Sequence, residues 1–357
     1  MIQTSYKVIG MMSGTSLDGI DLVYVEFNKY SKWDFTILKA QTFEYDDTWR
    51  EKLRNLVTAS MDDLKTIDSD YTHYIAHVIN EFIETNNIEY VDAICSHGHT
   101  ALHQPQNKLT YQIGNKSILA DLTKNTVVCN FRVQDVELGG QGAPLVPIGD
   151  ELLFPEYDFC LNLGGFANIS TKIDDERIAY DICPVNIVLN HYIKTIGFDY
   201  DDKGKMASSG EVNHSLLNKL NDLDFYKRSY PKSLGLEWVN TNIFPLINSY
   251  NMEIKDVLRT FIEHIAVQIS VEINKKNKAS VLVSGGGVYN EFLISSINHL
   301  TKNRIVIPSK NIIEFKEALI FAFLGVLRLR NEVNTLKSVT GAVKNHSSGK
   351  IFAIKIN

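Results

Sequence analysis

The chain reads as an α/β protein built from two similar halves, and three observations lead there. Apolar runs that bend at small residues occur at 6–11 (YKVIGM) and 20–27 (IDLVYVEF). The same strand–glycine–strand unit returns at 159–163 (FCLNL) and 166–173 (FANISTKI), with Gly164 and Gly165 at the bend. Between these units lie stretches whose apolar residues recur at helical spacing. At roughly 150 residues per domain, 357 residues suit two domains.

Each element follows from local chemistry. An apolar run, a small-residue bend and a second apolar run signal a hairpin, so both units are predicted as hairpins. A third strand of the second half, 280–283, runs into Gly285, Gly286 and Gly287. At 256–275, Val257, Phe261, Ile265, Ile269 and Ile273 fall on one helical face, with Asp256 as the expected N-cap. Residues 71–86 and 316–330 read as helices by the same spacing, and these faces are ordinary core. No low-complexity linker separates the halves, which predicts two domains sharing a tight interface with a cleft between them.

Composition excludes several classes. A net charge of −6 offers no electrostatic reason to bind nucleic acid or an anionic membrane. With 44% hydrophobic and 22% charged residues, neither disorder nor a coiled coil is expected. Cys95, Cys129, Cys160 and Cys183 are far apart and form no CxxC pair, which fits free thiols in a reducing compartment. The N-terminus has no apolar stretch after a basic patch, so no secretory signal is expected. The longest apolar run, 318–327, is well short of the roughly twenty residues that span a bilayer. A cytoplasmic enzyme is the expectation, with a homodimer as the commonest assembly.

The most informative stretch is 10–21, GMMSGTSLDGID. Its glycines let backbone N–H groups approach an anion, and Ser13, Thr15 and Ser16 add hydroxyl donors. Asp18 and Asp21 would repel bare phosphate, but either can hold a hydrated Mg²⁺ that neutralises it. The P-loop pattern fails because no lysine follows the glycines, and the dinucleotide fingerprint fails because a strand follows the turn. A plain hairpin turn would not need this density of hydroxyls and carboxylates. The loops at Gly164–Gly165 and Gly285–Gly287 are weaker singly, since a glycine pair usually marks a turn. Together the three loops predict a site that grips phosphates, with the triple glycine letting an adenine or ribose lie against the backbone.

In this order the three loops are similar to the phosphate-1, phosphate-2 and adenosine motifs of the actin, sugar-kinase and Hsp70 superfamily. Within it, the chain resembles the anhydro-N-acetylmuramic acid kinases. The resemblance is carried by 10–21, by 96–100 (SHGHT), by Gln112-Ile113-Gly114, by Phe131-Arg132, by Asp135 and by 139–147 (GGQGAPLVP). It continues through 162–168 (NLGGFAN), Tyr180-Asp181, Pro184, Asn186 and 338–342 (SVTGA). It implies a two-lobed actin-like ATPase fold, a duplicated ribonuclease H-like architecture, with lobes expected at 1–131 plus 328–357 and at 132–327. It also implies ATP- and Mg²⁺-dependent conversion of 1,6-anhydro-N-acetylmuramic acid, with water, to N-acetylmuramic acid 6-phosphate, a step in peptidoglycan recycling.

Site residues follow from the same resemblance. ATP is expected on Gly14, Thr15, Ser16, Leu17, Asp18, Gly19, Ile20 and Asp21, on Gly164 and Gly165, and on Gly285, Gly286 and Gly287, with Asp18 or Asp21 as the Mg²⁺ contact. The sugar is expected near His97, Thr100, Arg132 and Glu317. Opening the anhydro bridge needs water at C1 and a leaving O6; because O6 is captured by the phosphoryl group, one carboxylate base suffices. The family's base lies in a DTGPGN segment and corresponds to Asp181; an N-cap for 184–192 is the structural alternative. Arg132 suits either the sugar's lactyl carboxylate or a domain-interface salt bridge. Glu317 opens an EAxxFA pattern, either supporting the sugar or sitting solvated in a first helical turn. His97, His99 and His103 have a metal-like spacing, but the family carries glutamine at His99, so a strand end lining the sugar is expected instead.

The chain also departs from the family. DTGPGN reads Asp181-Ile182-Cys183-Pro184-Val185-Asn186, and ADFR reads Cys129-Asn130-Phe131-Arg132. A glycine and a hydroxyl are lost beside the base, and a carboxylate becomes an amide. A kinase for a different sugar and a non-catalytic nucleotide-dependent sugar sensor are the competing expectations.

Overall fold

The computed structural model describes residues 3–14 and 17–354. The chain divides into two units, Met1–Phe154 with Phe315–Asn357, and Pro155–Glu314. The first begins with an antiparallel hairpin of β1 (Ser5–Ser13) and β2 (Gly19–Lys29), extended by β3 (Trp33–Glu44). β4 (Ala93–Ser96) then pairs with β1 in parallel. A small hairpin follows, β5 (His99–Gln104) with β6 (Leu109–Ile113). β7 (Val127–Cys129) completes the run parallel to β4. β1 is buried on both sides and carries an almost continuous apolar run, as an interior strand must. β3 alternates and is largely exposed, which suits its place at the sheet edge.

The second unit repeats this plan. β8 (Phe159–Leu163), β9 (Phe166–Ile173) and β10 (Glu176–Pro184) run antiparallel. β11 (Ser280–Ser284) and β12 (Arg304–Val306) continue parallel to β8. The order β10-β9-β8-β11-β12 matches β3-β2-β1-β4-β7, and β13 (Lys350–Phe352) pairs with β7 beyond it. In both units the first hairpin strand has antiparallel partners on one side and parallel ones on the other. This shared topology is the duplication that the paired strand–glycine–strand units foretell.

Three helices place the candidate residues. Helix Met61–Thr85 begins ten residues before the apolar periodicity does, because Ser60 caps it by accepting from the Asp63 N–H. Helix Ile254–Ile273 buries the predicted face, but Asp256 is not its N-cap. Glu253 holds that position without a side-chain bond, and the Asp256 carboxylate instead accepts the Glu211 N–H at 2.8 Å. Helix Lys310–Leu329 contains the 318–327 run and lies on the first sheet. A Cβ on Gly10 of β1 would strike the Ala318 carbonyl, and one on Gly325 would strike Cys95 of β4. That close packing explains its apolar sequence, and no helix among the described residues is long and apolar enough to cross a membrane.

The unit boundaries differ from the lobes expected at 1–131 plus 328–357 and 132–327. Residues 132–154 and 315–327 belong to the first unit. Arg132 bonds to His97 and Asp135 to Thr340, which ties the first segment there, while the packing of Ala318 and Gly325 holds the second. All four cysteines are free and buried.

Candidate active site

In the first unit the expected phosphate turn joins β1 to β2. Thr15 and Ser16 lie outside the described residues. Leu17 has φ 60°, and its N–H donates to the Gly14 carbonyl at 3.4 Å. Gly19 lies so close to the Phe43 carbonyl that no side chain fits. Asp18 is exposed, while Asp21 is half-buried and accepts the Thr42 hydroxyl at 2.6 Å. Ile20 is fully buried, so only its backbone is available to a ligand.

Beneath this turn runs a buried chain of hydroxyls that motif reading missed. Ser13 Oγ lies 2.6 Å from Tyr45 Oη and 2.8 Å from His99 Nδ1, and Tyr45 Oη lies 2.5 Å from Tyr71 Oη. Burial raises both tyrosine pKa values, so the phenols stay protonated. Burial pushes His99 down to about 4, so its ring is neutral at pH 7. The partners of Ser13 are 32 and 86 residues away, and no local signal announces them. His97, His99 and His103 bond to Gly98, Ser13 and Thr110 respectively, and among the described residues no three or more His, Cys, Asp or Glu side chains gather as a metal centre.

Three of the expected sugar residues do meet. β4 and β7 are parallel neighbours, with Ser96 opposite Cys129, so His97 and Arg132 emerge from the same end of the sheet. Arg132 Nε donates to His97 Nε2 at 2.9 Å, and Nη1 donates to the Gly142 carbonyl at 2.7 Å. The guanidinium carbon lies 5.8 Å from the Phe321 ring, and the His97 ring lies 4.6 Å from it. Glu317 stands one helical turn before Phe321, in the interior of helix Lys310–Leu329 rather than in its first turn. Its side chain is accessible to solvent, yet surrounding protein desolvates the carboxyl and raises its pKa, opposed by Arg132 and Lys316. Accessible yet desolvated is what a concave surface produces. Burial lowers Arg132 to about 10, opposed by Glu317 and Asp135, so the guanidinium stays charged. Thr100 is half-buried on β5 opposite Gln112, with no described bond to the other three.

Asp135 joins two of the segments that carry the family resemblance. Fully buried, it accepts the Gly142 N–H and the Thr340 hydroxyl, each at 2.7 Å. The 139–147 and 338–342 stretches are therefore tied through one carboxylate, and Gly142 is held where its carbonyl meets Arg132.

In the second unit, Gly164 and Gly165 form the two-residue turn between β8 and β9. The Gly165 carbonyl accepts from the Val185 and Ile187 amides, and the Gly164 carbonyl from Asn186, which caps the start of helix Asn186–Lys194. Gly285 and Gly287 pack against Leu163 at the end of β8, bringing the two glycine loops together, while Gly286 faces open space. Asp181 lies on β10, beside a bulge, and does not cap the following helix. Its Oδ2 accepts the Leu234 N–H at 2.8 Å, and its own N–H donates to the Lys232 carbonyl at 3.1 Å. Burial raises the Asp181 pKa, and the Leu234 bond only partly offsets this. Ile182, Cys183 and Val185, the departures from the family segment, are all buried in the core of the second unit. They are packing residues there.

The segment that holds Asp181 is itself anchored. Lys232 is buried, with its ammonium 3.5 Å from Glu272 Oε1 and 5.1 Å from the Phe225 ring centroid. Glu272 also accepts from Tyr180 Oη at 2.7 Å and pairs with Lys275. Neither Lys232 nor Glu272 was singled out from sequence, because a buried lysine looks like any other lysine in a string of letters.

The family model described as anhydro-N-acetylmuramic acid kinase matches residues 6–354. A protein of that name from Sulfurovum sp. (strain NBC37-1) is 34% identical over 362 residues, covering 97% of this chain and 99% of its own length. Another of that name, from Aliivibrio fischeri (strain ATCC 700601 / ES114), is 35% identical over 370 residues, with 97% and 99% covered. A third, from Haemophilus influenzae (strain ATCC 51907 / DSM 11121 / KW20 / Rd), is 32% identical over 374 residues, with 96% and 97% covered. The glycine turns, the Asp181 carboxylate and the Arg132 cluster thus sit in a chain matched almost end to end, and it belongs to the anhydro-N-acetylmuramic acid kinase family.

Proposed function

We propose that the enzyme phosphorylates O6 of 1,6-anhydro-N-acetylmuramic acid with ATP while water opens the anhydro bridge. Water adds to C1 as the C1–O6 bond breaks. O6 takes the γ-phosphoryl group as the bond to ADP breaks, and the water's proton passes to Asp181. The products are N-acetylmuramic acid 6-phosphate and ADP. The observation that carries this reading is the Asp181 carboxylate: half-buried, oriented by one backbone N–H, and with a raised pKa that strengthens it as a base.

The phosphates are assigned to the backbone of Gly14–Asp21, Gly164–Gly165 and Gly285–Gly287, the three glycine-containing loops that the family resemblance implies. Gly286 supports this, since a Cβ there would meet nothing within 4 Å. Mg²⁺ fits the hard oxygen donors of exposed Asp18 and half-buried Asp21, which would hold it through water. When bound it neutralises phosphate charge. Arg132, presented beside Glu317, is assigned to the carboxylate of the sugar, and Thr100 and His97 to the same region. The four free buried thiols suit a reducing compartment, and we place the enzyme in the cytoplasm.

The test is to incubate the protein with ATP, Mg²⁺ and the anhydro-sugar in ¹⁸O-water and follow products by mass spectrometry. The expected product is a sugar 6-phosphate carrying ¹⁸O at C1. ADP released only with another sugar would replace the substrate. Sugar binding without turnover would make the chain a sensor.

A further inference from the structure

Arg132 and His97 constrain one another in a way that fixes the chemistry of the imidazole. Arginine Nε carries a hydrogen and has no lone pair to offer, so His97 Nε2 must be the acceptor of their 2.9 Å bond. His97 Nδ1 lies 2.9 Å from the Gly98 carbonyl oxygen, which can only accept, so Nδ1 carries the proton. Both ring nitrogens are committed. The ring is buried, and burial together with the Arg132 charge holds its pKa well below the usual value. It therefore remains a neutral acceptor across the physiological range.

The guanidinium is held from a second side. Nη1 donates to the Gly142 carbonyl, and Gly142 is fixed in turn by the Asp135 carboxylate. Its central carbon lies over the Phe321 ring, 5.8 Å from the centroid. Two of the three nitrogens are thus occupied, and Nη2 is the arm with no described hydrogen bond. Glu317 supplies a nearby opposite charge.

We infer that His97 is a positioning residue, whose Nε2 lone pair acts with the Gly142 carbonyl to aim Arg132 Nη2 at an anionic group of the sugar, and that His97 makes no polar contact with the sugar itself. This rests on the reading of Arg132 as the sugar's carboxylate partner. It moves His97 from contact to support.

The decisive measurement needs no substrate. Long-range ¹H–¹⁵N correlation spectra of the wild-type protein should show a protonated, pyrrole-type Nδ1 and an unprotonated Nε2 for His97. A proton on Nε2 overturns the inference. Kinetics test the aiming. His97→Gln places an amide oxygen near the Nε2 position, whereas His97→Asn does not reach it. His97→Asn should raise the sugar KM by ~10- to 100-fold, the loss expected for a hydrogen bond to a charged group, with the ATP KM unchanged. His97→Gln should restore the sugar KM to within a few-fold of wild type. In an Arg132→Met background, His97→Asn should have no further effect; multiplying losses would show that His97 touches the sugar directly. If wild type turns over no anhydro-sugar, the function reading fails, and the tautomer still decides the acceptor role of His97.

Discussion

Asp181 and Leu234 lie 53 residues apart in the chain, and the Leu234 amide donates to Asp181 Oδ2 at 2.8 Å. The same segment takes the Asp181 N–H at the Lys232 carbonyl, so one stretch of backbone brackets this residue on both sides. Burial raises the carboxyl pKa and the Leu234 bond lowers it, and burial prevails. An oriented carboxylate with raised basicity is what water activation requires.

The sign of the pH dependence follows. Asp181 acts as a base only when deprotonated, so activity should climb with pH through its raised pKa. The acid limb of kcat/KM should lie above the ordinary aspartate value of about 3.9. A limb at or below that value would assign the base to another group.

Replacing the carboxylate isolates its role. Asp181→Asn keeps an oxygen for the Leu234 N–H and should fold normally. Turnover should fall by ~10²- to 10⁴-fold, the usual contribution of a positioned base, with ATP affinity unchanged by calorimetry. Near-normal turnover would remove Asp181 from the mechanism.

Glu272 should link stability to pH. Desolvation pushes its pKa up, but bonds from Lys275 and Tyr180 and the charges of Lys275 and Lys232 together hold it below the usual value. A depressed carboxylate contributes stability that is present above its unfolded pKa, about 4.3, and lost as pH falls through the folded value. Glu272→Gln should cost about 3 kcal/mol at pH 7, because buried Lys232 loses its carboxylate. Its denaturant midpoint should also fall less steeply than wild type below pH 4.5.

The glycine loop separates packing from ligand access. Gly285 has φ +85°, and a Cβ there would lie 2.8 Å from the Leu163 carbonyl oxygen. Gly285→Ala should therefore lose about 2 kcal/mol or more of stability. Gly286→Ala meets nothing within 4 Å and should leave stability within about 0.5 kcal/mol of wild type. A raised ATP KM in Gly286→Ala, with an unchanged melting temperature, would mark the surface where the nucleotide lies. An unchanged KM would remove Gly286 from the nucleotide site.

Legibility in the sequence followed the range of the forces involved. The hairpins at β1–β2 and β8–β9 were readable because apolar runs and small turn residues act over a few residues. Helix Met61–Thr85 was readable only from its apolar part, since its first turns are polar and rely on the Ser60 cap. Asp256 was misassigned as a cap because an aspartate near a helix start looks the same in sequence whether it caps or, as here, binds the Glu211 amide.

Motif order alone sufficed to place the chain in its family and to single out Asp181, Arg132, His97 and Glu317. Which side chains touch was decided by packing. The parallel register of β4 and β7 brings His97 to Arg132, and Gly10 and Gly325 let helix Lys310–Leu329 settle close enough to set Phe321 and Glu317 beside them. The His99–Ser13–Tyr45–Tyr71 chain and the Lys232–Glu272 pair arise in the same way. Their partners are distant in sequence, so their bonds exist only once sheets and helices have closed around them and water has been excluded.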